Sequence, residues 1–166
     1  MIAPPFSLSL LCLVAAGGCV AAAAQPKDAD RVRACVEDLT AGRGDLAGFS
    51  VTYDDIHGLH GGLSITIFGD GKVEQHAVRT EIREARQVSR PDLSRIVSLL
   101  RELKAWEQLT PERKPIPDES RARLTIRCRG SETTIWEWYN DMTKNARMAR
   151  VKALMIEAAW PPVAVQ

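Results

Sequence analysis

The residues with the most chemistry in them lie together in Asp54-Asp55-Ile56-His57-Gly58-Leu59-His60-Gly61-Gly62. Imidazoles and carboxylates this close in one segment can ligate zinc or another transition metal, with His57 and His60 as the ligand candidates. The spacing is not that of a helix-borne metallopeptidase pair, in which a Glu and a second His share one helical face. A polar turn whose glycines supply positive φ angles accounts for the same residues, and makes Asp54, Asp55, His57, His60, Gly61 and Gly62 a surface for contacting another protein. Other chemistry is sparse. The chain has no nucleophile elbow, phosphate loop, CxxC redox pair or dinucleotide fingerprint. Its adjacent acids, Asp54-Asp55 and Asp118-Glu119, read as solvated loop carboxylates, so a non-catalytic protein without a cofactor is expected.

Two cysteines and two tryptophans are the remaining candidates. Cys35 and Cys128 are the only thiols left once the first 24 residues, which carry no charged side chain, are set aside. An even pair in an oxidising compartment usually closes, which would pin the first helix to the last hairpin. Trp136 and Trp138 alternate along a strand beside an arginine row at 121, 123, 127 and 129. A three-residue loop Arg129-Gly130-Ser131 would set Leu124 against Trp136 and put both indoles in the core. A tighter turn at Gly130-Ser131 would set Arg123 against Trp138 and put them on a cationic outer face. The core register is favoured because it joins the largest apolar areas.

The elements that must position these groups follow from periodicity. Residues 1–24 form an apolar leader of signal-peptide length, with Phe6 to Val14 as its hydrophobic run. Ala16-Gly17-Gly18-Cys19 has the form of a bacterial lipoprotein processing box, which makes Cys19 the lipidation candidate; Ala22-Ala23-Ala24 is the alternative cut. The expected address is therefore the bacterial cell envelope, lipid-anchored, or else the periplasm or medium. Residues 25–45 read as a tether and a short helix carrying Val32, Cys35, Val36 and Leu39, and residues 46–162 as a single α+β domain. Phe49 to Tyr53 alternates like a strand. Leu63 to Phe68 and Lys72 to Arg79 flank Gly69-Asp70-Gly71 as a β-hairpin. With Gly71 left-handed, Ile67 meets Val73, Ile65 meets Gln75 and Leu63 meets Ala77, the more apolar of two possible registers.

Glu81 to Ser89 can add an edge strand. Ser89-Arg90-Pro91-Asp92 then opens a helix with Leu93, Ile96, Val97, Leu100 and Leu103 on one stripe. Thr110 to Glu119, with three prolines, is a surface loop. A second hairpin spans Arg121 to Tyr139, and a last helix Asp141 to Trp160, with Met148, Val151, Leu154, Met155 and Ala158 inward. The fold expected is α+β: an antiparallel sheet from two hairpins and one further strand, with a packed amphipathic helix and helices at both ends. Lysine plus arginine is 22 against 21 for aspartate plus glutamate, which argues against a nucleic-acid partner.

The order HGLHGG, GDGKV, RPDLSRIVSLLREL, PDES and RLTIRCRGSETTIWEW resembles a group of small bacterial exported domains. More distantly it is similar to the emfourin-type inhibitors of thermolysin-like metallopeptidases, from which it differs in His60 before Gly61-Gly62 and in the added terminal helices. The resemblance implies an unidentified protein partner and, as an alternative, peptidase inhibition by the Asp54 to Gly62 loop.

Overall fold

The computed structural model describes residues 26–57, 59–79, 84–142 and 146–160. Five strands make one antiparallel sheet: β1 (Ser50–Asp54), β2 (Gly62–Phe68), β3 (Val73–Val78), β4 (Arg121–Cys128) and β5 (Ser131–Trp138), in the order β3-β2-β1-β4-β5. Three helices complete the α+β fold: α1 (Pro26–Thr40), α2 (Arg90–Glu102) and α3 (Arg147–Ala159). None of the described helices is long and apolar enough to cross a membrane.

Alternation along the strands decides which side the helices cover. Val51, Tyr53, Ile65, Ile67, Ala122, Leu124, Ile126 and Ile135 all point to one face. There they meet Val32 and Val36 of α1, the α2 stripe, and Met148, Val151 and Met155 of α3 in a single core. In α2 the Ser89 Oγ accepts from the Asp92 amide, Pro91 sits in the first turn, and Leu93, Ile96, Val97 and Leu100 are buried. Each such aliphatic side chain contributes roughly 1.5–3 kcal/mol gross on burial. α1 is fastened to this assembly by the Cys35–Cys128 disulfide, whose Cα atoms lie 6.2 Å apart.

The first hairpin has the expected register, with Ile67 opposite Val73, Ile65 opposite Gln75 and Leu63 opposite Ala77. The second does not have the favoured one. Cys128 pairs with Ser131, so Arg129 and Gly130 alone form the turn; Arg121 faces Trp138 and Arg123 faces Trp136. Both indoles therefore leave the core face, and Ile135, Thr133 and Glu137 take the inward positions. The large apolar area is not lost to water: Arg121 lies over both rings, 4.0 Å from the Trp136 centroid and 4.2 Å from that of Trp138, and Arg113 covers Trp138 at 4.4 Å. Cation–π contact on the outer face thus replaces burial in the core.

Two other expectations change. Residues 84–89 form no strand; Arg86 turns instead to the end of α3, donating from its amide to the Ala159 carbonyl, while Val88 donates to Gly71. Residues 80–83 of that segment lie outside the described residues. The last helix starts later than Asp141, because Tyr139–Asp141 makes a 3-10 turn and α3 begins at Arg147. Cys19 and the leader also lie outside the described residues.

Candidate functional site

Asp54 ends β1 and Asp55 follows it, and alternation sends them opposite ways. Asp54 accepts from the Ile56 amide at 2.9 Å, a local turn bond on the outer face. Asp55 is buried: one oxygen accepts from the Leu63 amide at 2.8 Å, and the other from the Tyr53 hydroxyl at 3.0 Å and from the Lys152 ammonium on α3. Burial first, and then the Asp55 charge, push the Tyr53 hydroxyl well above the usual phenol range. A carboxylate bonded on both oxygens holds β1, β2 and α3 in one arrangement.

The loop beyond it closes on itself. The amides of His57 and Gly61 each donate to the other's carbonyl at 2.9 Å. The His57 Nδ1 accepts from the Leu59 and His60 amides at 3.1 and 3.3 Å. The two imidazoles stack, with centroids 4.8 Å apart and planes 20° from parallel. Stacked rings aim their nitrogens side by side rather than at a shared point, and one of the four nitrogens is already spent on the loop. No group of three potential metal ligands occurs among the described residues. His76 pairs with Ser64 in the middle of the β2–β3 ladder, away from the loop.

Gly61 and Gly62 are required by closeness as well as by their positive φ angles of +82° and +137°. A β-carbon on Gly61 would sit 2.6 Å from the Val78 carbonyl oxygen, and one on Gly62 would sit 2.5 Å from that of Asp55. The Arg79 guanidinium also donates to the Leu59 carbonyl, tying the loop to the end of β3.

Asp55, His57, His60 and Gly61 form one wall of a cleft of about 340 Å³. The opposite wall is Pro117 to Ser120, with Tyr139 and Asn140 at the end of β5. Arg113 fixes that wall. It makes two bonds of 2.8 Å to the Glu119 carboxylate and bonds Asp141 at 2.9 Å, holding Glu119 below the ordinary carboxylate range. Of the sequence candidates, then, four share the cleft, while Asp54 and Gly62 support it from outside. Sequence reasoning did not find the opposite wall. Its one signal was the Pro115-x-Pro117-Asp118 run beside a strand that ends on Trp138-Tyr139, two features far apart in the chain.

One exposed apolar side chain, Tyr139 (48% exposed), lines the cleft, and two others, Leu59 (54%) and Ile116 (51%), are the chain neighbours of the lining residues His60 and Pro117. The geometry defines a class, an α+β domain with one helical layer and a loop-built cleft at the end of its sheet. No family model matches the chain, and no curated protein or solved structure is significantly similar to it.

Proposed function

We propose that this chain is an exported, lipid-anchored, non-catalytic domain that binds another protein with the end carrying the Asp54 to Gly62 loop. The observation that carries the reading is a loop-built cleft lined by the exposed Tyr139, with exposed Leu59 and Ile116 next in the chain to its lining residues His60 and Pro117. Large apolar side chains gathered at one end, on a loop already held in shape, are what a protein interface needs as anchors. The two-way His57–Gly61 bonding and the buried Asp55 lower the entropy lost when that loop docks. The disulfide fits an oxidising compartment outside the cytosol.

A photo-crosslinking residue placed at Leu59 or Ile116 should trap a specific protein in the envelope, while the same residue at Glu37, exposed on α1 near the Cys35–Cys128 disulfide, should not. Equal labelling from the three positions would sink the proposal. For the anchor, fatty-acid labelling should vanish in Cys19→Ala. A second reading, inhibition of a thermolysin-like metallopeptidase, is favoured by the closure of the 57–61 turn and the exposed Leu59 on it. Peptidase activity that stays unchanged at micromolar protein removes it. A metal-binding role for His57 and His60 has no third ligand to support it among the described residues, and metal analysis of purified protein tests it directly.

A further inference from the structure

β5 is an edge strand, and its outer rim is half closed by a side chain. In the tight β4–β5 hairpin Cys128 and Ser131 form the closing pair. Residues 132, 134, 136 and 138 therefore turn their amides and carbonyls away from β4. At Trp136 both groups are taken by Gln108: its Oε1 accepts from the Trp136 amide at 2.8 Å, and its Nε2 donates to the Trp136 carbonyl at 2.9 Å. A carboxamide bonded this way reproduces the two bonds that a neighbouring strand would make. Farther along, the Trp138 indole donates to the Pro111 carbonyl at 3.4 Å, so segment 108–111 follows the rim. Glu132 and Thr134 have no such cover among the described residues. An edge with open backbone groups is a template for another strand.

We propose that the β5 rim is a self-pairing interface kept shut by Gln108, and that its occupant when Gln108 withdraws is a second copy of this chain. The side chains argue for a copy. On the outer face Thr66, Thr52, Thr125 and Thr134 are direct cross-strand partners on four adjacent strands. Their hydroxyls bond in pairs, Thr52 with Thr66 and Thr125 with Thr134, each at 2.8 Å. Two β5 strands paired antiparallel about a two-fold axis at Thr134 would carry this threonine row unbroken into the second copy. The same register sets Glu132 against the second copy's Trp136, at the position each Gln108 now fills. One residue type therefore blocks both ends of the symmetric pairing, and its removal opens both at once. This interface lies along the rim of β5 and uses no residue of the cleft, so it stands or falls apart from the protein-binding reading above.

Sedimentation of the exported chain tests it, with near-ultraviolet circular dichroism to report that the tryptophans keep their environment. Gln108→Ala should sediment as a dimer at concentrations where the parent chain is a monomer. Gln108→Glu, equal in length but unable to donate to the Trp136 carbonyl, should do the same and covers the case in which the alanine variant does not fold. Adding Thr134→Pro removes an outward amide that an edge strand can spare and should restore the monomer. A monomeric Gln108→Glu chain with native dichroism overturns the proposal. So does a dimer that survives Thr134→Pro.

Discussion

In the β2–β3 hairpin the chain turns through Gly69-Asp70-Gly71; in β4–β5 it turns through Arg129 and Gly130 alone, at φ +49° and +82°. The first turn is enclosed. The Val88 amide donates to the Gly71 carbonyl at 2.8 Å and the Gln87 side-chain Nε2 to that of Asp70 at 2.9 Å, so the segment leading into α2 folds back over the tip of the hairpin. The second turn is open at Gly130, where a β-carbon would meet nothing within 4 Å, while its Arg129 side chain bonds Asp38 at 3.1 Å and donates to the Arg43 carbonyl at 3.2 Å. Below the turn, Cys128 is bonded to Cys35 and Ile135 sits opposite Leu124 in the core, which sets the register at the strands. A turn held from outside can be read from its own residues. One held from below obeys the core and the disulfide, even at the cost of an arginine in the left-handed region.

The disulfide is where this contrast should break hardest. Cys35 and Cys128 are 93 residues apart, and closing such a loop stabilises by about 4–5 kcal/mol in the chain-entropy view. Chemical denaturation of a Cys35→Ser/Cys128→Ser variant should show that loss, and hydrogen exchange should rise first in β4 and β5 and leave β2–β3 protected. Gly71→Ala comes next. Its β-carbon would be left-handed and would press on the Val88 carbonyl, so a loss of roughly 2–4 kcal/mol is expected from equilibrium unfolding. Gly130→Ala carries the backbone strain without the collision and should cost about 1 kcal/mol by the same measurement. Equal costs at the two glycines would erase the distinction between an enclosed and an open turn.

The smallest effect is a change of slope. Glu137, buried on β5 against Arg147, has its carboxyl pushed above the usual glutamate range by burial, with the arginine pulling the other way. A raised carboxyl pKa in the fold contributes stability that is present below the unfolded value and lost as pH rises through the folded one. Unfolding followed from pH 4 to 8 should therefore move the stability difference between Glu137→Gln and the parent chain toward the glutamine variant. A difference independent of pH would show that the arginine fully offsets the burial.

The β2–β3 register, the capped α2 helix and the cysteine pair were legible because each rests on neighbours in sequence or on a count. Ile67 finds an apolar partner, Val73, in one of the two registers only, and Ser89-Arg90-Pro91-Asp92 specifies a helix start within four residues. The second register was not legible, since the reading weighed the indole area of Trp136 and Trp138 without the guanidiniums that cover it. Arg113 reaches Trp138 from a proline loop whose path no local pattern fixes. The cleft was legible on one wall. DDIHGLHGG announced itself by composition, but Tyr139 and Pro117 to Ser120 reach it only because β5 lies two strands from β1.

The strand order also dictates a sequence of events. β1, at the centre, bonds β2 within a few residues of emerging, yet its other rim waits for β4, which lies beyond α2 and the whole proline loop. Until Arg121 to Cys128 has been delivered, the middle of the sheet is an exposed border and α1 has no thiol to meet. The fold is thus unfinished until its last hairpin is available, and oxidation of Cys128 with Cys35 is what seals it.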